Sequence, residues 1–393
     1  MHIGLVSDQY PPYPVGGVGA RVTDLARGLV AEGHKVTVIG VYPRNRDITR
    51  LLDDTLEGVR VIRLPPAPPW MRWRPGLLWE RHSLSATLGR LNKQSPFDLV
   101  EFTDGFGWAF FGTPRAVVAA IRIEGSTRFY DAAMGIEADQ FTYWMEGISL
   151  RKSDCLSAVS AFAKTETLRI FGLNQKPCTV IHNAVDTGLF QPGQDAPDPG
   201  LIVFANSIEP RKGALEMVTA MNDIFAVHSH ARLVMIGSDT QPQIKGETYS
   251  GHIMDSVMPE YRDRITFTGR MDRNPGVLGY LQRAAVCCYP SRVETFGIAP
   301  LEAMAVAKPV IYCNTGPGPE LIEDGVSGFL CDCTSARAIA ATVNQILNNP
   351  DLAAAVGRRA RERVLASFDK RAWIRRNIAY YRSSIDSFRK RRE

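Results

Sequence analysis

Short β-branched runs alternate with amphipathic helical runs along the first half of the chain. HIGLVS (2–7), KVTVIG (35–40), VRVIRL (59–64), FDLVEF (97–102), VVAAIRI (117–123), CLSAVS (155–160) and CTVIH (178–182) read as strands, with a helix near 18–32 after the first. Such alternation predicts a doubly wound parallel sheet. QPGQDAPDPG (191–200) is a Pro/Gly/Asp-rich break and reads as a linker. The pattern then restarts with LIVFAN (201–206), a helix from about 212, RLVMIG (232–237), RITFTG (264–269), AVCCYP (285–290) and KPVIYC (308–313). Helical segments follow through 334–366, and the last amphipathic run, RAWIRRNIAYYRSSIDSFRKRR, is expected to pack back on the first domain. The reading is therefore two Rossmann-like domains. Residues 1–195, completed by a C-terminal helix at about 370–393, form the first, and 200–369 form the second. Two such domains facing each other would leave a cleft at the carboxyl ends of their strands, where open sheets of this class bind ligands.

Composition narrows the class without choosing a function. Apolar residues at 45% and charged residues at 22% are an ordinary globular balance, and 393 residues suffice for two cores. A net charge of +5 is too small to argue for nucleic acid. The seven cysteines are scattered without C-x-x-C spacing, and Cys287 and Cys288 fall in an apolar run. That usage speaks against a disulfide framework or a zinc site and for a reducing cytoplasm. No apolar run reaches bilayer-spanning length, so the expectation is a cytoplasmic protein, with peripheral contact at the inner membrane face left open.

Three stretches carry chemistry. In PVGGVGARVTDLARGL, Gly16, Gly17 and Gly19 lie between the first strand and first helix, where glycine lets backbone approach an anion. The dinucleotide fingerprint lacks its third glycine, and the loop Gln9–Val15 replaces a tight turn, so hydride transfer is a weak reading. In SIEPRKGALEMV, Arg211 and Lys212 stand at a helix N-terminus, an unfavourable place for cations unless a diphosphate neutralises them. In SRVETFGIAPLEA, Glu294 and Glu302 flank a Thr-Phe-Gly turn, with the backbone of Phe296, Gly297 and Ile298 placed to meet an anion or sugar hydroxyl. A helix is expected to begin near Ala299, with Pro300 and Glu302 in its first turn.

Together Glu294-x7-Glu302, the opening PPYPVGGVGARVTDLARGLVAEGHKVTV, the segment HNAVDTGLFQP, SIEPRKG and TGPGPELIEDGVSGFL are similar, in this order, to family 4 of the retaining glycosyltransferases, which have the two-Rossmann-domain GT-B fold. The resemblance covers nearly the whole chain. It implies that Glu302 holds the ribose hydroxyls of a nucleotide and Glu294, with Phe296–Ile298, the donor sugar. Lys212 would grip the diphosphate. The base would lie near Gly269, Arg270 and Met271, and Gly17 would approach the phosphates. A UDP- or GDP-type sugar would be the donor substrate, a hydroxyl compound the acceptor, and no cofactor would be needed. No D-x-D occurs, so a metal-independent reaction is expected. On the acceptor side the candidates are Gly16, Asp104 and Glu124.

Two departures from the family pattern stand out. Where many members carry an arginine five residues before the lysine, this chain has Ser207, and Arg211 beside Lys212 is expected to share the load. Where many have a histidine in the first domain, this chain has Glu124, in VVAAIRIEGS. Glu124 would change the charge near the reacting carbon and orient a cationic or polyhydroxylated acceptor; the plainer reading is a strand-end carboxylate. The segment PPAPPWMRWRPGLLWERHSL (65–84) reads as an acceptor flap, a core helix after a proline-rich turn, or, less readily, an interfacial anchor. His228 and His230 are too close for a helical metal pair and are placed on the surface at a helix end. The competing functions are a glycoside hydrolase, a sugar-nucleotide epimerase, and a non-catalytic sugar-nucleotide-binding partner of another transferase.

Overall fold

The computed structural model describes residues 1–13, 16–71, 73–136, 139–240 and 247–392. Pro14 and Val15 of the glycine loop, Arg72 of the tryptophan-rich segment, and 137–138 lie outside the described residues. The chain divides into two units, Met1–Asn183 with Arg371–Glu393, and Ala184–Lys370.

Unit 1 carries β1 (His2–Val6), β2 (Lys35–Val41), β3 (Leu52–Leu56), β4 (Val59–Leu64), β5 (Leu99–Thr103), β6 (Val118–Ile123), β7 (Cys155–Ala158) and β8 (Cys178–Val180). Their order is β3-β4-β2-β1-β5-β6-β7-β8, and only β3 is antiparallel to its neighbour. Its helices are α1 (Gly17–Ala31), α2 (Trp73–Gln94), α3 (Thr127–Met134), α4 (Gln140–Lys152) and α5 (Ala161–Ile170). Unit 2 carries β9 (Leu201–Ala205), β10 (Arg232–Ile236), β11 (Ile265–Gly269), β12 (Val286–Tyr289), β13 (Val310–Cys313) and β14 (Phe329–Cys331), in the all-parallel order β11-β10-β9-β12-β13-β14. Its helices are α6 (Ala214–Val227), α7 (Tyr249–Ile253), α8 (Leu278–Arg283), α9 (Ile298–Ala305), α10 (Gly318–Leu321), α11 (Ala336–Leu347) and α12 (Pro350–Ser367); α13 (Lys370–Lys390) follows.

The central strands β1, β6 and β12 are short, apolar and buried on both faces, as crossover helices require of a parallel sheet. Val22, Leu25, Ala26 and Leu29 give α1 one buried stripe at helical spacing. Residues Arg371–Glu393 belong to unit 1: Ile374 δ1 fills the space a Cβ on Gly28 would need, and the Tyr381 hydroxyl donates to Glu101 at 2.8 Å.

The division falls at Asn183/Ala184, upstream of the Pro/Gly/Asp-rich stretch 191–200. Residues 185–187 are bound instead to the end of unit 2. Val185 N–H donates to Phe368 O at 3.0 Å, Lys370 N–H to Val185 O at 3.1 Å, and the Thr187 hydroxyl to Asp369 at 2.6 Å. Two elements were not foreseen. The edge strand β3, LDDTL, is too acidic and exposed to read as a strand, and β14 is three residues long. His228 is buried at the C-terminus of α6, and only His230 is exposed.

In each sheet the strand order reverses at one place, between β1 and β5 in unit 1 and between β9 and β12 in unit 2. Loops leaving the carboxyl ends of those strands are splayed to opposite faces, which opens a ligand crevice there. The candidate residues Gly16, Gly17 and Asp104 follow β1 and β5; Ser207, Arg211, Lys212 and Glu294 follow β9 and β12.

Candidate active site

In unit 2 the two loops at the strand reversal are fastened to each other. Arg292 N–H donates to Arg211 O at 2.9 Å. Gly213, with φ +71°, lies so close to the other loop that a Cβ would sit 1.9 Å from Pro290 O, so no other residue fits. This strut brings the Lys212 ammonium onto the Glu294 carboxylate in a short, nearly buried ion pair. Burial alone would push the Glu294 carboxyl up, but Lys212 and Arg211 outweigh it and hold the group below the usual carboxylate range. Glu209 gathers the rest of the loop, accepting from Ser207 Oγ at 2.9 Å and Arg211 Nη2 at 2.8 Å.

Glu302 lies on α9, whose N-terminus has no side-chain cap. Gly297 precedes it at φ +96°, where a Cβ would strike the Tyr312 hydroxyl. That hydroxyl donates to Phe296 O at 3.1 Å and fixes the turn. Because Gly297 starts the helix at Ile298, one residue earlier than expected, Glu302 opens the second turn rather than closing the first. Its carboxylate meets Arg273, whose Nε donates to Oε1 at 2.6 Å and whose guanidinium lies 5.1 Å from the Phe190 ring. Gly269, at φ +71°, has open space where a side chain would be, and Arg270 beside it is exposed; Met271 is half-buried against Gly276.

Unit 1 presents a different arrangement. Gly16 caps α1 and accepts no side-chain help; its N–H donates to Gln9 Oε1 at 2.9 Å. Gly17 has nothing within 4 Å of a would-be Cβ and no positive φ, so neither packing nor backbone conformation demands a glycine there. Behind these glycines, Arg21 on α1 donates Nε and Nη2 to the two oxygens of Glu124 at 2.7 and 2.5 Å, and Nη1 to Glu101 at 3.1 Å. Arg122 completes the group, donating Nε and Nη2 to Glu101 at 3.0 and 2.8 Å. All four side chains are buried. Burial raises the Glu124 carboxyl against the pull of Arg21, whereas the two guanidiniums overcome burial at Glu101 and bring it to about 2.

In this structure Glu124 is a buried carboxylate with both oxygens on Arg21, an arrangement that fits the plainer of the two readings. Two cations and two carboxylates balance in this group, and a neutral residue at 124 would leave a cation in excess. Asp104 is likewise buried: its oxygens accept from Glu124 N–H at 2.9 Å and Gly125 N–H at 3.3 Å, shaping the turn after β6. Burial, with Glu146 and Glu124 nearby, pushes its carboxyl to about 8.

Sequence reasoning missed Arg21, Glu101, Arg122, Glu146 and Arg273. The signal for the first three is a charge inside an apolar run (LVEFT, AAIRI) or on the buried stripe of a helix. Glu146 accepts from Phe106, Thr127 and Arg128 N–H at 2.8, 2.9 and 3.2 Å, a backbone role that no spacing announces. In 65–84, Trp70 and Trp73 are exposed, while Arg81, Leu84, Leu88 and Leu91 bury the rest of α2 as a core helix. Among the described residues no helix is long and apolar enough to cross a membrane, and no group of three or more His, Cys, Asp or Glu is placed to hold a metal. The seven cysteines are free thiols.

Comparisons with known proteins bear on the family and the fold. The family model "Glycosyltransferase Family 4" matches residues 15–189 and "Glycosyl transferases group 1" matches 188–363. A glycogen synthase of Mycobacterium tuberculosis is 27% identical over 399 residues, covering 94% of this chain and 91% of that protein. The structure of sucrose-phosphate synthase from Thermosynechococcus elongatus superposes with a TM-score of 0.80 at 23% identity, over 98% of this chain and 99% of that one. Anabaena HepE in complex with UDP-glucose gives 0.75 at 16% identity, over 98% and 100%. With one family model on each unit and a fold matched over 98% of the chain, the chain is a glycosyltransferase of family 4 with the GT-B fold.

Proposed function

We propose that the protein transfers a hexosyl group from a nucleoside diphosphate sugar to a hydroxyl acceptor with retention of anomeric configuration. The observation that carries this reading is the Lys212–Glu294 pair, set at the ends of the two strands where the unit 2 sheet reverses. A cation and a carboxylate held together at a loop junction can exchange partners. A diphosphate takes Lys212, and Glu294 turns to accept hydroxyls of the donor sugar.

The other residues follow from that exchange. Glu302 accepts the ribose hydroxyls, and the backbone at Phe296–Ile298 meets the sugar or its phosphate. In the transition state the bond from the anomeric carbon to the leaving phosphate oxygen lengthens, and Lys212 with Arg211 offsets the charge that gathers on that oxygen. The same oxygen accepts the acceptor's proton, so no protein base is required. These protein cations supply the charge that a divalent ion supplies elsewhere, and a metal-independent reaction is part of the proposal. A uridine nucleotide is the first donor to test, since HepE was solved with UDP-glucose. The hydrolase reading needs one carboxyl kept protonated; here both carboxylates face a cation, Glu294 against Lys212 and Glu302 against Arg273.

Glu294→Ala and Lys212→Ala test the reading, with UDP-glucose consumption and product formation followed across an acceptor panel. Each is expected to lower kcat/KM by about 100- to 1000-fold, the size found when one transition-state contact is removed. Each variant should still unfold cooperatively, at a lower temperature than wild type because one partner of a nearly buried pair is left unmatched. Normal turnover by Glu294→Ala would sink the assignment, and epimerised donor without any acceptor would replace it.

A further inference from the structure

Phe106, in the loop after β5, is 55% exposed and has φ +60°, a conformation that side-chain-bearing residues rarely adopt. Two buried charged residues hold it there. Glu146 accepts its N–H at 2.8 Å, and Arg81, itself 4.2 Å from the Trp108 ring, donates twice to its carbonyl at 2.8 and 3.1 Å. The strain is thus over-determined by the surroundings, the condition under which strained residues persist at functional sites.

A glycine would adopt this φ without strain, and both neighbours, Gly105 and Gly107, are glycines. The chain nonetheless keeps a phenyl ring at a left-handed φ and then leaves it more than half exposed, where its burial contributes little. Packing does not account for it. The location does suggest a use. Phe106 stands at the carboxyl end of β5, beside the strand reversal of unit 1, and a Cβ on Gly105 would come within 3.8 Å of Gly125 O, in the turn at the end of β6. Gly16 and Gly17 lead into α1 from the facing strand β1.

We propose that Phe106 is a binding platform on which the acceptor lays the apolar face of a pyranose ring, so that the acceptor class is a glycoside or oligosaccharide. The negative face of the phenyl attracts the C–H bonds of such a sugar face, and one ring orients it without charged contacts. This is consistent with Glu124 and Asp104 being spent inside the fold. The inference rests on the transferase reading above, because it assigns the partner of the transferred sugar.

The test uses Phe106→Gly, Phe106→Trp and wild type, with methyl α- and β-pyranosides of glucose, galactose, mannose and N-acetylglucosamine as probes. Binding is measured by saturation-transfer NMR and calorimetry, with and without UDP. Wild type is expected to bind at least one glycoside, Phe106→Gly to bind it about tenfold more weakly, and Phe106→Trp to retain it. Phe106→Gly should melt at or above the wild-type temperature, since glycine relieves the strained φ, and should bind UDP unchanged. Equal glycoside binding by Phe106→Gly, or no binding of any pyranoside by wild type, would overturn the platform. Absence of UDP binding by wild type would count against the donor reading instead, while the glycoside comparison made without UDP still decides the role of Phe106.

Discussion

Both units hold carboxylates against cations, but the two sets are built for opposite ends. In unit 1, Glu101 receives Arg21, two nitrogens of Arg122 and the Tyr381 hydroxyl, so one carboxylate joins α1, β5, β6 and α13. The Arg122 guanidinium also donates to Asn377. Every member is closed off from water. In unit 2, Lys212–Glu294 and Arg273–Glu302 are separate pairs at the ends of strands and helix, and the Arg273 side chain is about a third exposed. A buried network with several bonds per charge fixes geometry and is hard to open. A pair at a loop junction, by contrast, can trade its partner for a charged ligand that takes over the hydrogen bonds given up. The contrast separates structural from exchangeable charge without reference to which residue type is present.

The largest effect should come from breaking the closed set. Glu101→Ala leaves Arg21 and Arg122 short of a carboxylate inside the core, which is expected to lower the stability of unit 1 by about 3–5 kcal/mol. The pH dependence carries the same sign. Glu101 is held at about 2, below its unfolded value, so its contribution is complete above the unfolded carboxylate range and is lost as pH falls from about 4 toward 2. Urea unfolding at pH 7 and pH 3 reads both effects. A Glu101→Ala protein that unfolds at the wild-type midpoint would remove the distinction between the two sets.

Asp104 titrates in the opposite direction and gives the next effect. Its folded value, about 8, lies above the unfolded one, so the folded state keeps a proton that the unfolded chain has released. Stability from this group is complete below about 4 and declines as pH rises toward 8; between pH 5.5 and 7 that is a loss of about 2 kcal/mol. Asp104→Asn cannot release that proton and should flatten the slope, with a small loss at low pH because one backbone N–H loses its acceptor. An unchanged slope in the variant would mean that another group, Glu146 first, carries the pH dependence.

Legibility followed the same divide. Of the exchangeable set, Arg211, Lys212, Glu294 and Glu302 were singled out by motifs whose order resembles the family, whereas Arg273, the partner of Glu302, belongs to no such motif. Strand positions were readable too, because buried parallel strands are continuous apolar runs; β3 failed that pattern for its exposed acidic residues. The closed set was not readable as a set. Its members lie on four elements, with bonded partners as far as 280 residues apart in Glu101 and Tyr381, and only the fold brings them together. Glu124 shows the consequence most plainly. A carboxylate replacing the family's histidine invites a catalytic explanation until Arg21, a residue on the buried side of α1, is seen to take both its oxygens. Phe106 was invisible for another reason: a positive φ on a phenylalanine between two glycines has no sequence signature.

The smallest effect tests whether the unit 2 pairs are exchangeable at all. Arg273 occupies the Glu302 carboxylate that the proposed function gives to ribose hydroxyls, so a nucleoside must compete with a charged side chain. Uridine isolates that competition because it has no phosphate for Arg273 to follow. Arg273→Gln removes the competitor's charge and is expected to tighten uridine binding by about fivefold, or about 1 kcal/mol. Added salt should narrow the gap, since screening weakens the pair in wild type and has nothing to weaken in the variant. UDP should gain less than uridine, because a displaced Arg273 can still meet a phosphate. Weaker uridine binding by Arg273→Gln would mean that Arg273 itself holds the nucleoside, and the Arg273–Glu302 pair would then belong with the fixed geometry of the Glu101 network rather than with Lys212–Glu294.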